Sequence, residues 1–144
     1  MQPMYETFEH TADLGLRVRA PDLNTLFAEA ARALFSAIVE DLGTVAPRQK
    51  VEVNLTGEDR DYLLFDWLNE LLFRFDTEHL LFGRFEVEAR FLGETGFLLK
   101  GMAWGEPLDR SRHALSHEVK AITYHGLRIE KTEDGWLAEM IVDI

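Results

Sequence analysis

Apolar residues recur along this chain with two periods, and the switches between them mark its elements. Met4-Tyr5-Glu6-Thr7-Phe8-Glu9 and Leu16-Arg17-Val18-Arg19-Ala20 read as short strands on either side of a polar break. After Pro21-Asp22 the spacing turns helical. Leu23, Leu26, Phe27, Ala30, Leu34, Ala37 and Ile38 share a face, Asp22 is the natural N-cap, and Gly43 is the natural stop. Glu29 lies off that face. Arg48 to Leu55 alternates, with Val51, Val53 and Leu55 on the buried side, and Gly57 closes the strand. A second helix is expected from about Asp61 to Phe75, its stripe made by Leu64, Trp67, Leu68, Leu71, Leu72 and Phe75.

The rest of the chain is β-rich. Phe85, Val87, Ala89 and Phe91 alternate with Glu86, Glu88 and Arg90; Gly93-Glu94-Thr95-Gly96 makes a hairpin, and Phe97 to Trp104 returns. Gly105-Glu106-Pro107 is expected to break the sheet and open an irregular polar stretch reaching His117. Val119 to Tyr124 resumes as a strand, His125-Gly126 turns the chain, and Leu127 to Lys131 continues. Glu133-Asp134-Gly135 then makes a hairpin into a last strand, Trp136 to Ile144. Two helices and about seven or eight strands, mostly joined by hairpins, describe an α+β fold: two helices packed on a largely antiparallel sheet. No repeat, linker or low-complexity segment divides the 144 residues, so one domain over 1–144 is expected.

Charge narrows the partners. A net charge of -11 repels phosphate backbones, which argues against direct nucleic-acid binding and favours basic partners or bound cations. No apolar run is long enough to span a bilayer and no basic-plus-apolar leader is present, so no membrane role is expected. The absence of cysteine removes disulfides and thiolate metal sites and fits a cytoplasmic home.

Candidate chemistry sits at the breaks. His10-Thr11-Ala12-Asp13-Leu14-Gly15 places an imidazole, a hydroxyl and a carboxylate between two strands; the same residues also read as a tight turn in which Asp13 bonds its own backbone. His113 and His117 have zinc-pair spacing, but Arg110-Ser111-Arg112 beside them opposes a cation, so a polar surface loop is the better reading. Asp66 and Glu70 are four apart, which more often marks a solvated acidic face than a shared cation. Lys120, in an otherwise apolar run, either faces solvent or meets Asp13 or Asp143 in a polar pocket. The tail, Ile141-Val142-Asp143-Ile144, ends a strand on a carboxylate. If it lies beside the strand that begins near Asp13, the acidic oxygens converge into a set suited to a hard cation such as Ca²⁺ or Mg²⁺. Spacing alone does not show that convergence.

Together these segments resemble the archease family over essentially the whole chain. The resemblance rests on Tyr5-Glu6 before His10-Thr11-Ala12-Asp13, on Leu26-Phe27-Ala28-Glu29-Ala30-Ala31, and on Trp67-Leu68-Asn69-Glu70-Leu71-Leu72. It continues through Gly105-Glu106-Pro107, Glu118-Val119-Lys120-Ala121-Ile122-Thr123-Tyr124-His125 and the terminal Asp143-Ile144. It implies a strand-helix-strand-strand module with a β-rich insertion. It also implies a partner and a role: activation of the GTP-dependent RNA ligase of tRNA splicing and RNA repair, by promoting guanylylation of a ligase histidine and multiple turnover. The family pattern gives Asp13 and Asp143 a metal ion, with Ile144 as a main-chain ligand, and makes Lys120 an essential polar residue. His10, Glu29, Glu70 and His125 match family positions with less defined roles. Calcium or magnesium suits the oxygen donors, and manganese is a further candidate in the ligase complex. A stand-alone metal-dependent phosphoester hydrolase is the alternative, although no nucleophile with a paired base and no Gly-rich phosphate cradle stands out. A passive small-ligand module is a third reading.

Overall fold

The computed structural model describes residues 1–10 and 13–144, the side chains of Glu9 and His10 excepted. Among the described residues the strands are β1 (Met4–His10), β2 (Asp13–Ala20), β3 (Gln49–Gly57), β4 (Leu80–Phe91), β5 (Phe97–Pro107), β6 (Ala121–Thr132) and β7 (Gly135–Asp143). The helices are α1 (Leu23–Ile38) and α2 (Arg60–Glu78). The strands form two antiparallel sheets, ordered β1-β2-β7-β6 and β3-β5-β4. Both helices touch strands of both sheets, so the helices carry the shared core. The α+β expectation holds, with one refinement: the strands divide into two sheets.

Amphipathic spacing explains which faces meet. Leu16, Val18 and Ala20 of β2 and Ala138, Met140 and Val142 of β7 point inward and are fully buried. Against them and against β4, α1 buries Leu26, Phe27, Ala30, Leu34 and Ile38. Trp67 of α2 is also fully buried, and its indole N–H donates to the Phe27 carbonyl at 3.0 Å, joining the two helices. Phe35 makes edge-on ring contacts with Phe75 and Phe82.

Several expected boundaries moved, each for a tertiary reason. Asp22 does cap α1, accepting from the Thr25 N–H at 2.8 Å. The helix stops at Ile38, however, five residues short of Gly43. Val39 turns extended and bridges Leu115, while Ser116 and His117 N–H groups donate to the Ile38 and Ala37 carbonyls at 2.8 and 2.9 Å. A distant segment thus satisfies the open helix end. α2 runs longer than its stripe, from the Asp59 cap to His79, which adopts a left-handed conformation (φ 57°). Gly105-Glu106-Pro107 does not break the sheet: Gly105 pairs with Gln49 and Phe82, and Pro107 with Leu80. Val119 and Lys120 lie before the expected strand, which begins at Ala121. His125-Gly126 is a bulge within β6 rather than a turn, with the register shifting between Thr123 and Arg128 and Gly126 at φ 84°. Glu133-Asp134 makes the two-residue hairpin expected before β7, since Thr132 pairs with Gly135.

Candidate functional site

The row of residues at one end of the four-stranded sheet runs His10, Asp13, Asp143, Ala121. His10 stands across from Asp13, Asp13 across from Asp143, and Asp143 across from Ala121. The N-terminal hairpin and the tail therefore meet, as the sequence required for any joint role. Residues directly opposite in an antiparallel ladder put their side chains on the same face, with Cβ atoms about 5 Å apart. Asp143 is exposed and Asp13 half-buried. Two carboxylates so placed repel each other by up to roughly 1 kcal/mol unless a positive charge lies between them. Just beyond the row, the Lys120 N–H donates to the Asp143 carbonyl at 2.8 Å, tying that backbone to the tip. Ile144 packs partly against the core.

Successive residues on this helix-free face set the site's floor. Phe8 stands opposite Gly15, and its ring lies where a Gly15 side chain would be: a Cβ there would meet ring carbons at 2.2 Å. Ile141 and Thr123 continue that row. The next row alternates in charge: Glu6, Arg17, Glu139, Arg128. Arg17 bonds both Glu6 and Glu139, Arg128 bonds Glu139 at 2.7 Å, and the Arg17 guanidinium sits 4.7 Å over the Phe8 ring. Burial alone would raise the Glu139 carboxyl, but the two arginines outweigh it and bring its pKa below the ordinary value. A shallow pocket of about 330 Å³ opens over these rows, lined by Phe8, Asp13, Thr123, His125, Gly126, Glu139 and Ile141. The β6 bulge is what delivers His125 to the pocket that Asp13 lines.

Other candidate residues go elsewhere. The Lys120 side chain is exposed and lines a separate cleft of about 650 Å³. Glu29 lies on α1, paired with Arg32 at 3.0 Å; burial raises its pKa against the opposing pull of Arg32, and it lines neither pocket. Glu70 pairs with Arg74 at 3.1 Å while Asp66 is exposed, so those two carboxylates do not share a site. Thr11 and Ala12 and the His10 imidazole lie outside what is described.

One constellation had no sequence signal. Glu106, on β5, is 1% exposed and sits beside an equally buried His113. Asp109 N–H donates to His113 Nδ1 at 2.9 Å, so the imidazole carries its proton on Nε2 and donates it to Glu106 Oε2, also at 2.9 Å. The Ala46 N–H donates to the same oxygen at 2.8 Å, and Arg112 pairs with the other. The Arg112 guanidinium, against the opposing effect of burial and with help from the Ala46 N–H and His113, holds the Glu106 carboxyl down at about 2. The expected surface loop is thus wrong for His113, whose two nitrogens are both engaged; His117 alone is exposed. A strand glutamate followed by proline looks like a sheet terminus in sequence, which hid this staple.

The fold and the sequence are those of a known family. The model of the Archease protein family matches residues 5–144. The chain belongs to the archease family. It is 43% identical to protein archease of Methanopyrus kandleri, covering 97% of this chain and 99% of that one, and 44% identical to protein archease of Pyrococcus abyssi, covering 97% and 98%. The solution structure of protein 1598 of Methanobacterium thermoautotrophicum is similar, with a TM-score of 0.86, 38% identity and coverage of 97% and 98%. A Thermotoga maritima crystal structure, described as an archease and possible chaperone, shares the fold at TM-score 0.62 and 20% identity, with 98% of each chain covered. No helix among the described residues of this archease is long and apolar enough to cross a membrane.

Whether the tip fits a divalent ion is a question of donors. Among the described residues, no three His, Asp or Glu side chains group as metal ligands. Asp13 and Asp143 supply hard carboxylate oxygens from adjacent strands, a set that matches Ca²⁺ or Mg²⁺ in chemistry and leaves most of the coordination shell to main-chain oxygens, water or a partner.

Proposed function

We propose that this archease is a non-catalytic cytoplasmic activator of the GTP-dependent tRNA-splicing and RNA-repair ligase, promoting guanylylation of the ligase histidine and its repeated turnover. The observation carrying this reading is the direct cross-strand pairing of Asp13 with Asp143. These two side chains would hold a divalent ion, with the Ile144 main chain as a further donor. Such an ion, when bound, offsets negative charge on the triphosphate during phosphoryl transfer. The chain's own residues do the positioning. The pairing of β2 with β7 holds the two carboxylates side by side at one end of the sheet. The Lys120–Asp143 backbone bond sets the tail, and the Phe8–Gly15 stack and the charge row beneath stiffen the sheet behind it. A charge of -11 steers the tip toward a cationic ligase site, raising the encounter rate and fixing orientation more than affinity.

The test is a guanylylation assay with the cognate ligase, with and without this chain, across Ca²⁺, Mg²⁺ and Mn²⁺. Asp13→Ala and Asp143→Ala should fold normally and fail to stimulate. Full stimulation by the folded double variant overturns the proposal. Turnover of a phosphoester by this chain alone with added divalent ions would instead favour the stand-alone hydrolase.

A further inference from the structure

We propose that the cleft of about 650 Å³ between the C-terminal end of α2 and the 108–120 segment binds a small phosphomonoester carried on an apolar body. Its volume lies in the range of small-molecule sites. Phe75, Leu108, Leu115 and Val119 supply apolar lining, Arg110 and Lys120 supply positive charge, and Asp76 and Glu118 supply negative charge.

Those two cations are the telling feature. Carboxylates outnumber cations heavily in this chain, and most of its arginines use them: Arg17, Arg32, Arg48, Arg74, Arg84, Arg90, Arg112 and Arg128 form ion pairs. Among the described residues, Arg110 and Lys120 make no ion pair, side-chain hydrogen bond or ring contact, although Asp76 and Glu118 line the same cleft. Two uncommitted cations in one cleft with Phe75, Leu108, Leu115 and Val119 match a ligand with a compact dianion and a nonpolar remainder. A phosphomonoester near neutral pH carries close to two negative charges, which a monocarboxylate does not. Arginine can engage two of its oxygens at once, and lysine adds a point charge. The cleft itself is built. The Leu108 N–H donates to the His79 carbonyl, and the Ser116 and His117 N–H groups dock on the end of α1, so both walls are held to helix ends.

This inference needs no ligase, and its test uses the isolated chain, so its failure leaves the activator reading untouched. Amide shifts of the ¹⁵N-labelled protein are followed while phenyl phosphate, a nucleoside monophosphate or inorganic phosphate is added. Saturable shifts at Leu115 and Val119, with at least one ester binding about tenfold more tightly than inorganic phosphate, are expected. Arg110→Ala, at an exposed turn position, should keep the rest of the spectrum and weaken the ester about tenfold. Shifts that fail to saturate, equal binding of phosphate and both esters, or an unchanged affinity in Arg110→Ala would each overturn the proposal.

Discussion

Replacing Glu106 by glutamine isolates the charge in the buried staple while keeping its shape. The Glu106 carboxyl titrates at about 2 in the fold, against 4.5 for an unconstrained glutamate. A depressed carboxyl contributes stability that is present above the unfolded value and is lost as pH falls toward the folded one. Taken at face value the shift corresponds to at most about 3 kcal/mol. Arg112, its strongest partner, is 46% exposed and Arg48 is 73% exposed, so water screens much of this and roughly 1–2 kcal/mol is the working figure. Urea unfolding followed by tryptophan fluorescence at steps from pH 7 to pH 2.5 should show Glu106→Gln less stable by that amount above about pH 5. The two proteins should then converge as pH falls from about 4.5 toward 2, because the native side chain becomes neutral as well. A gap that stays constant across the range would assign the effect to packing and refute the electrostatic account; no gap at any pH would refute the staple.

Three further substitutions test the sheet face and the helix–helix core. Asp143→Asn, at an exposed strand end, should leave the metal-free protein folded and its thermal unfolding cooperative. In the same thermal scans it should abolish any rise in melting temperature that millimolar Ca²⁺ produces in the parent chain. Gly15→Ala must displace the Phe8 ring, so unfolding experiments should show a loss of about 1–3 kcal/mol; an unchanged midpoint would mean the ring carries nothing. Trp67→Phe removes the bond to the Phe27 carbonyl and part of a fully buried ring, and should cost about 1–3 kcal/mol in the same assay.

Much of the fold was legible in the order of residues. The α1 face, its Asp22 cap, the alternation of β3, the α2 stripe and the Glu133-Asp134 hairpin all follow from local spacing, since a helix or strand declares its buried side through its own period. The acidic balance and the terminal aspartate also singled out Asp13 and Asp143 before any contact was known. Local spacing could not say that these two would stand opposite each other. That depends on the register of β2 against β7, which pairs residues from opposite ends of the chain and is set by the burial of Leu16, Val18, Met140 and Val142.

Only the packed molecule decided where α1 stops, because the 114–117 segment takes over its last carbonyls, a partner about eighty residues away. Likewise the bulge at Gly126 carries His125 into the terminal pocket, and the burial of Glu106 depends on Ala46 arriving from one segment and the adjacent Arg112 and His113 from another. Periodicity reports how each element meets the core. Which polar groups meet one another is a property of the assembled surfaces, where hydrogen bonds and ion pairs form between residues that share no sequence neighbourhood.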